Sequence, residues 1–442
     1  MLNDLFSSDL FVIASLVMTL VCIIFLVLLV ILKNYKPAIF LAVISPFISA
    51  IFVSISGFQT EATEGSYIRV FILFFVGSIG FYQFYKLRKT LGYKLPLHIK
   101  LFALYLFLAL FSTVYSIDPQ ITLIRSSTFI LFFGFLLGLY YWIDDISDFS
   151  AVMNTVYYGI ITILMINVAI FLVKNDIVWY RGGVRFCGLW GHPNVFGMFA
   201  MVSYPVFLWK WQSGKYYKFA HPVIFITIMM TFHVLTGSRG SLLAALSGFS
   251  LWLIVQGKKV KLAILMLSLC LLGFILAFEM DEIKVFKRKT VQGSTVLTLT
   301  GRDEFWSAMK ILIMEKPLTG YGYGVGGKIW EDPRFHKEGH LLWSGSARTS
   351  LHSGYLSAII NIGLIAFIIW MYVLFQPIIK INRFKSKDIK APLIFIMGSC
   401  FILNLIESLI GGGSGPASVL FWIAWIIAAR FNDDPKLSPE GT

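Results

Sequence analysis

The stretch LTGSRGSLLAAL, residues 235–246, places one arginine, Arg239, at the junction of two long apolar runs. The run before it is AHPVIFITIMMTFHVL (220–235), and the run after it is GSLLAALSGFSLWLIVQ (240–256). Each is long enough to cross the hydrocarbon core of a bilayer as an α-helix. The stretch therefore predicts two membrane helices that meet at one bilayer surface. A guanidinium at such a junction is costly unless a negative group lies beside it, so we also expect a negative partner for Arg239.

The composition extends this prediction to the whole chain. Of the 442 residues, 57% are hydrophobic and only 14% are charged, whereas a soluble domain is about half apolar and about a quarter charged. About 13 apolar runs have the length of a membrane helix. They are 10–32, 37–58, 68–85, 101–116, 121–142, 150–173, 193–209, 220–236, 240–256, 261–280, 353–378, 391–410 and 417–429. The chain is predicted to be an all-α, polytopic transmembrane bundle of about 12–14 spans, with one long loop, 281–352, between the tenth and eleventh.

The distribution of lysine and arginine predicts the orientation, because these residues gather in short cytoplasmic loops. One side holds 20 of them, and the short loops and helix ends of the other side hold six. The basic side comprises 33–36, 86–100, 210–218, 257–261, 379–390 and the tail from Arg430. We therefore expect Arg239, the loop 174–192 and the loop 281–352 to face the exterior. The net charge of +14 is then mostly topological, and no nucleic-acid partner is expected.

The four cysteines do not suggest a disulfide framework. Three of them, Cys22, Cys270 and Cys400, lie within apolar runs, and Cys187 lies in a predicted exterior loop.

Arg302, in the long loop, stands near the start of a predicted amphipathic helix. Thr300 and Asp303 resemble the capping box of a helix start, and Pro317 ends the pattern. An apolar stripe recurs at helical spacing; its members are Phe305, Trp306, Met309, Leu312 and Ile313. Such a helix is expected on the membrane surface. A guanidinium in its first turn adds to the free N–H groups there and makes an anion site suited to phosphate; alternatively, Arg302 caps the helix or snorkels.

Arg239 and His352 are the other two candidates for chemistry. Arg239 lies among small residues that let a ligand approach, and its planar fork matches phosphate; the alternative is an arginine at the lipid headgroup level. His352 lies where the long loop re-enters the membrane. Histidine accepts a proton near neutral pH, although an interfacial histidine can also be structural.

Other polar residues of the predicted exterior face have simpler interpretations. His192 and Asn194 are expected to cap the helix that Pro193 begins. The run GYGYGVGG (320–327) does not match a phosphate-binding loop and is expected to be flexible. Glu407 and Arg125 lie within apolar runs and need partners that the sequence does not identify.

Four motifs occur in the order found in a known family. They are RFCGLWGHPN (185–194), TGSRG (236–240), GRDEFW with EKPLTGYGYG (301–324), and LHSGYLSAIINIGLIAF (351–367). Over about residues 180–375, the chain resembles the O-antigen ligase and polysaccharide polymerase superfamily of bacterial membrane glycosyltransferases. Many members have His-Asn where this chain has His352 and Ser353, so the histidine is retained and the asparagine is not. We divide the chain into N-terminal helices (1–180), a family-like core (181–378), and C-terminal helices with a cytoplasmic tail (379–442).

The resemblance implies a GT-C-like helical membrane fold in the bacterial cytoplasmic (inner) membrane, with an active site that faces the periplasm or exterior. It implies a glycan donor on polyprenyl pyrophosphate and a glycan or lipid acceptor, with no nucleotide sugar, metal or other cofactor. Arg239 and Arg302 would bind the donor pyrophosphate, and His352 would activate the acceptor hydroxyl. Possible supporting residues are Arg185, His192, Asn194, Ser238 and Arg348. A flippase and a chain-length regulator are candidate partners.

Three functions remain open. A polymerase adds the growing chain to another lipid-linked repeat unit, and we favour this interpretation. A ligase transfers the finished glycan to lipid A-core or to protein. A solute transporter also has many spans, but transporters commonly carry midplane polar sites related by an internal repeat, whereas the unusual residues here gather at one membrane face.

The sequence predicts that transfer does not need a metal ion. The exterior carboxylates are scattered rather than clustered as metal ligands would be; they are Asp281, Glu282, Asp303, Glu304, Glu331 and Asp332. Transfer from purified lipid-linked donor should therefore survive EDTA, because arginines stabilise the leaving pyrophosphate. The measurement is product formation with and without the chelator. Loss of activity that Mg²⁺ or Mn²⁺ restores would contradict this account.

Overall fold

The structure, a computed structural model, describes residues 35–56, 64–91, 95–173, 175–180, 183–258, 261, 302–326, 328–331, 352–381, 384, 386–412 and 415–433. The predicted span 10–32, nearly all of the predicted span 261–280, Arg348 and most of the loop 281–352 lie outside these residues.

The described residues are helical and contain twelve α-helices. They are α1 (Lys36–Ser56), α2 (Glu64–Leu91), α3 (Leu97–Phe111), α4 (Pro119–Trp142), α5 (Ile146–Val173), α6 (Pro193–Ser213), α7 (Pro222–Leu235), α8 (Arg239–Val255), α9 (Arg302–Glu315), α10 (Gly354–Lys380), α11 (Lys387–Leu403) and α12 (Pro416–Asp433). Five segments are long and apolar enough to cross a membrane. They are Leu97–Val114, Pro119–Trp142, Ile146–Val173, Lys218–Leu235 and Gly354–Lys380. The predicted all-α transmembrane architecture is confirmed.

Several helices begin at a side-chain cap followed by proline. His192 precedes Pro193 at the start of α6, and its Nδ1 accepts a hydrogen bond from the backbone of Asn194 at 3.2 Å. Asp118 caps α4 in the same way, through its Oδ1 and the backbone N–H of Ile121 at 2.9 Å. Proline at the first helical position loses no hydrogen bond, because that N–H has no partner in a helix. The predicted capping role of His192 is confirmed.

Helix α12 forms the centre of the bundle. All its residues from Pro416 to Phe431 are buried, and a helix that is apolar on every side is stable only when other helices surround it. Glycines allow α2 and α4 to approach each other closely. A Cβ on Gly80 of α2 would lie 2.0 Å from the carbonyl oxygen of Gly134 in α4. Small residues at such contacts are the usual means by which membrane helices pack tightly.

One end of the bundle is closed by polar contacts of the C-terminal helix. The Nε2 of His98, near the start of α3, lies 3.3 Å from Oδ2 of Asp433. Arg430 donates from Nε to the carbonyl oxygen of Ile143, just after α4, at 2.9 Å. The start of α3 and the C-terminal tail, both on the predicted basic side, therefore lie at the same end.

Helix α10 is broken where the long loop packs against it. Ile362 and Gly363 are not helical, and Gly363 has φ of +77°. The Ile360 and Asn361 carbonyls freed by the break accept hydrogen bonds from the backbone N–H groups of Tyr321 and Gly322, both at 2.8 Å. Backbone groups within a membrane protein must find such partners because lipid offers none. The run GYGYGVGG (320–327) was predicted to be a flexible loop. That prediction is wrong for the residues of the run that the structure describes, because they pack against α10.

The same packing brings the apolar stripe of α9 into contact with protein. The predicted helix is present, but its apolar side packs with Tyr321 and Val325 and against Ile360 of α10. The buried members of the predicted stripe are Met309 and Leu312. The stripe that was expected to face the membrane contacts protein instead, because α10 offers it a partner.

Cys187 is not the accessible thiol that its loop position would give. It is only 2% exposed, and its Sγ donates to the carbonyl oxygen of Val178 at 3.2 Å. Burial raises the pKa of the Cys187 thiol to about 11, and a protonated thiol reacts poorly. A test of orientation therefore needs introduced cysteines.

We predict that Val184→Cys and Lys215→Cys, each in a cysteine-free background, will be labelled from opposite sides of the membrane. Both positions are exposed, and they lie on loops that the charge pattern assigns to opposite faces. An impermeant maleimide added to intact spheroplasts should label Val184→Cys at once and Lys215→Cys only after lysis. The reverse pattern would invert the predicted orientation.

Candidate functional site

The candidate site lies where four chain segments meet at one end of the bundle. These segments are the loop before α6, the junction between α7 and α8, residues 404–410 after α11, and the residues immediately before α10. The apolar run 391–410 was predicted to be one span, but α11 ends at Leu403. The remaining residues form a non-helical segment that contacts the start of α10, since the backbone N–H of Gly354 donates to the carbonyl oxygens of Asn404 and Glu407.

Arg185 bridges the loop before α6 and the junction of α7 and α8. The backbone N–H of Phe186 donates to the carbonyl oxygen of Leu235 at 2.9 Å, which fixes the loop beside the junction. Arg185 then donates from Nε to the carbonyl oxygen of Thr236 at 2.7 Å and from NH2 to Oδ1 of Asn194 at 3.2 Å. Its guanidinium is thereby held at the end of the bundle.

Asn194 connects this guanidinium to a carboxylate. Its Oδ1 accepts from Arg185, and its Nδ2 donates to Oε1 of Glu407 at 2.9 Å. The two partners fix the orientation of the amide, because only the oxygen accepts and only the nitrogen donates. Glu407 is 8% exposed, and a buried carboxylate needs such partners.

His352 lies on the other side of Glu407. Its Nδ1 is 3.6 Å from Oε2 of the carboxylate, and about a third of the imidazole is exposed. His352 has φ of +50°, and it is the only residue other than glycine with positive φ in the part of the chain that the structure describes. Such conformations are costly and cluster at functional sites. The next residue, Ser353, caps α10, so the imidazole lies immediately before the helix.

Arg239 brings a second guanidinium to the site. It is the first residue of α8 and is half-buried. Burial lowers the pKa of Arg185, and the charge of Arg239 lowers it further, whereas Glu407 opposes both. Two like charges that act on each other favour a bound anion, and a phosphate offers the matching acceptor oxygens.

The turn that carries Arg239 is tightly enclosed. A Cβ on Gly197 of α6 would lie 2.4 Å from Ser241 Oγ and 2.9 Å from Ser238 Cβ. A Cβ on Gly240 would lie 2.7 Å from a methyl group of Ile406, next to Glu407. Small residues on both sides therefore let the turn lie between α6 and the Glu407 segment.

The structure brings four of the predicted site residues together and separates others. Arg185, Asn194, Arg239 and His352 share the site. Ser238 is buried beneath it. His192 is exposed and packs its ring against Tyr180, 5.2 Å between centroids. Arg302 begins α9 as predicted, but its side chain and Arg348 lie outside what the structure describes.

One site residue was missed by the sequence analysis. Glu407 was recognised as a membrane carboxylate in need of a partner, and that signal alone could have nominated it. The partner of Arg125 is also now identified: NH1 donates to the carbonyl oxygen of Gly324 in the packed segment.

Comparison with known proteins identifies a family for part of the chain. Residues 224–371 match the family model described as O-antigen ligase. This confirms the resemblance predicted from the motifs. Arg239 and His352 lie within the match, and Arg185, Asn194 and Glu407 lie outside it. A search of curated proteins found no match.

Proposed function

We propose, from the O-antigen ligase match over residues 224–371, that this protein is a membrane glycosyltransferase that uses a polyprenyl-pyrophosphate-linked glycan as donor. The observation that carries the proposal is the line of side chains from Arg185 through Asn194 and Glu407 to His352, with Arg239 beside it. It supplies positive charge for a leaving group and a base for an acceptor. The site would face the exterior of the bacterial cytoplasmic membrane.

The two guanidiniums act on the donor. As the bond between the anomeric carbon and the phosphate oxygen breaks, the pyrophosphate leaves with the bonding electrons and gains negative charge. Arg239 and Arg185 stabilise that charge from positions fixed before the reaction, which is where electrostatic catalysis is most effective. Arg302 would add a third guanidinium from the first turn of α9.

His352 acts on the acceptor. Its Nδ1 faces Glu407, which leaves Nε2 to accept the proton of the acceptor hydroxyl as the new glycosidic bond forms. The carboxylate stabilises the imidazolium that results and orients the ring, as the acid does in other histidine-based catalysis. Glu407 is thus a positioning residue in this mechanism, and His352 is the catalytic base.

We favour a repeat-unit polymerase, and the name of the matched family supports an O-antigen ligase as the second candidate. Both use the same donor and differ in acceptor. Purified protein should therefore be given labelled lipid-linked repeat units alone, and then the same donor with lipid A-core. A ladder of lengthened lipid-linked glycans would identify a polymerase, and label on lipid A-core would identify a ligase. Transfer to neither acceptor, with uptake of free glycan into proteoliposomes, would contradict the proposal in favour of a transporter.

We predict that His352→Ala lowers the transfer rate by about 10²–10⁴-fold, the range for one general base, while donor binding changes little. Wild-type activity should also fall at acid pH, because an imidazolium cannot accept the hydroxyl proton. In Glu407→Gln the rate should fall, because the imidazole loses the carboxylate that orients it. The measurement is a pH–rate profile at saturating donor.

The control for these variants is His192→Asn, which retains a side chain able to cap α6 but lies away from Glu407. Its pH–rate profile should match that of the wild type. If His352→Ala turns over bound donor at the normal rate, the base is another residue.

A further inference from the structure

A buried polar chain runs beneath Arg239. His233, in α7, is completely buried. Its Nδ1 lies 2.9 Å from the hydroxyl oxygen of Tyr204 in α6, and its Nε2 lies 2.8 Å from Oγ of Ser241 in α8. One imidazole therefore joins three helices within the apolar interior of the bundle.

The hydrogen bond from Ser241 to a backbone carbonyl assigns a direction to this chain. The Oγ of Ser241 donates to the carbonyl oxygen of Ser238 at 3.0 Å. A hydroxyl has a single hydrogen, so Ser241 must accept from His233. Nε2 of His233 therefore carries the hydrogen, and Nδ1 accepts from Tyr204. This assignment gives His233 a neutral ring with its hydrogen on Nε2.

The chain ends on the turn that carries Arg239. Ser238, whose carbonyl is the last acceptor, is the residue immediately before it. The carbonyl oxygen of His233 also accepts from Oγ1 of Thr236 at 2.6 Å, and the same Oγ1 accepts from the backbone N–H of Ser238 at 3.1 Å. His233 thus holds the turn through its ring and through its backbone.

The second guanidinium depends on the same turn. The carbonyl oxygen of Thr236 accepts the hydrogen bond from Nε of Arg185. A shift of residues 236–241 would therefore move both arginines relative to each other. Because the turn has α6 on one side and Ile406 on the other, a small change in the polar chain is expected to be transmitted to the guanidiniums.

We propose that His233 is a positioning residue, which sets the first turn of α8 so that the Arg239 and Arg185 guanidiniums bind the donor pyrophosphate together. This rests on the proposed function. If the space needed only to be filled, an apolar side chain would fill it without the cost of burying a polar ring. Instead, the Nε2–H group of His233 donates to Ser241 in the first turn of α8, the helix that begins with Arg239.

The test measures binding of undecaprenyl pyrophosphate to the purified full-length protein in detergent, with undecaprenyl monophosphate as the comparison. In His233→Met, the Kd for the pyrophosphate should rise by roughly five- to tenfold, the scale of one lost buried hydrogen bond. His233→Gln keeps an N–H donor at a similar reach and should restore much of the affinity. The rate at saturating donor should change less than the Kd.

Control variants separate positioning from stability. His221→Asn changes the histidine at the other end of α7, where the ring caps the helix and packs against Tyr216, and its Kd should be that of the wild type. Ser241→Ala breaks the chain at its last side chain and should weaken binding as His233→Met does. Ser241→Ala also provides an independent test of the proposal if His233→Met does not fold. The melting temperature of each variant is measured beside its Kd.

The outcomes distinguish the two proposals. If wild type does not prefer the pyrophosphate, or if Arg239→Met binds it normally, the proposed function fails. If wild type and Arg239→Met behave as expected but His233→Met and Ser241→Ala bind donor normally, His233 is only structural and this inference is overturned. A lower melting temperature with an unchanged Kd would have the same meaning.

Discussion

The carboxylate of Glu407 is the group on which the candidate site depends. A buried carboxylate is stable only with partners, and those partners come from α6 as Asn194 and from the start of α10 as His352. One charge therefore joins segments that lie more than 200 residues apart in the chain. Because the amide of Asn194 uses its oxygen for Arg185, the same contact also orders the cationic side of the site. The proposed base and the proposed anion-binding groups are in this way parts of one polar network.

The requirement to satisfy backbone groups within the bundle explains the second ordered region. The break at Gly363 frees two carbonyl groups and exposes the N–H of Leu364, which donates to the carbonyl oxygen of Pro317 at 2.8 Å. The segment after α9 supplies all these partners. A side chain on Gly363 would collide with Leu318, since a Cβ would lie 1.9 Å from its carbonyl oxygen. The contact fixes α9, and with it the backbone of Arg302, against the bundle.

The family match and the site geometry contribute different parts of the proposed function. The match spans α7 to the middle of α10 and supports the reaction class. Glu407, which contacts the proposed base, comes from outside it, as do Asn194 and Arg185. Side chains that are held by several helices keep their relative positions better than side chains on a single loop. Electrostatic catalysis requires charged groups whose positions are fixed before the reaction.

The sequence by itself determined the all-α membrane architecture, most helix boundaries, and Arg239 and His352 as candidates, because apolar length, caps and isolated charges are local signals. It did not determine that α11 ends at Leu403 within the run 391–410, that Tyr321 and Gly322 of GYGYGVGG pack at the break in α10, or that the apolar stripe of α9 contacts protein. Those outcomes, and the pairing of Glu407 with Asn194 and His352, were decided only by the tertiary structure. A charged side chain or a freed backbone carbonyl within a membrane must have a partner, and this requirement can be seen in the sequence. Which partner it contacts depends on how helices that are distant in the chain pack together.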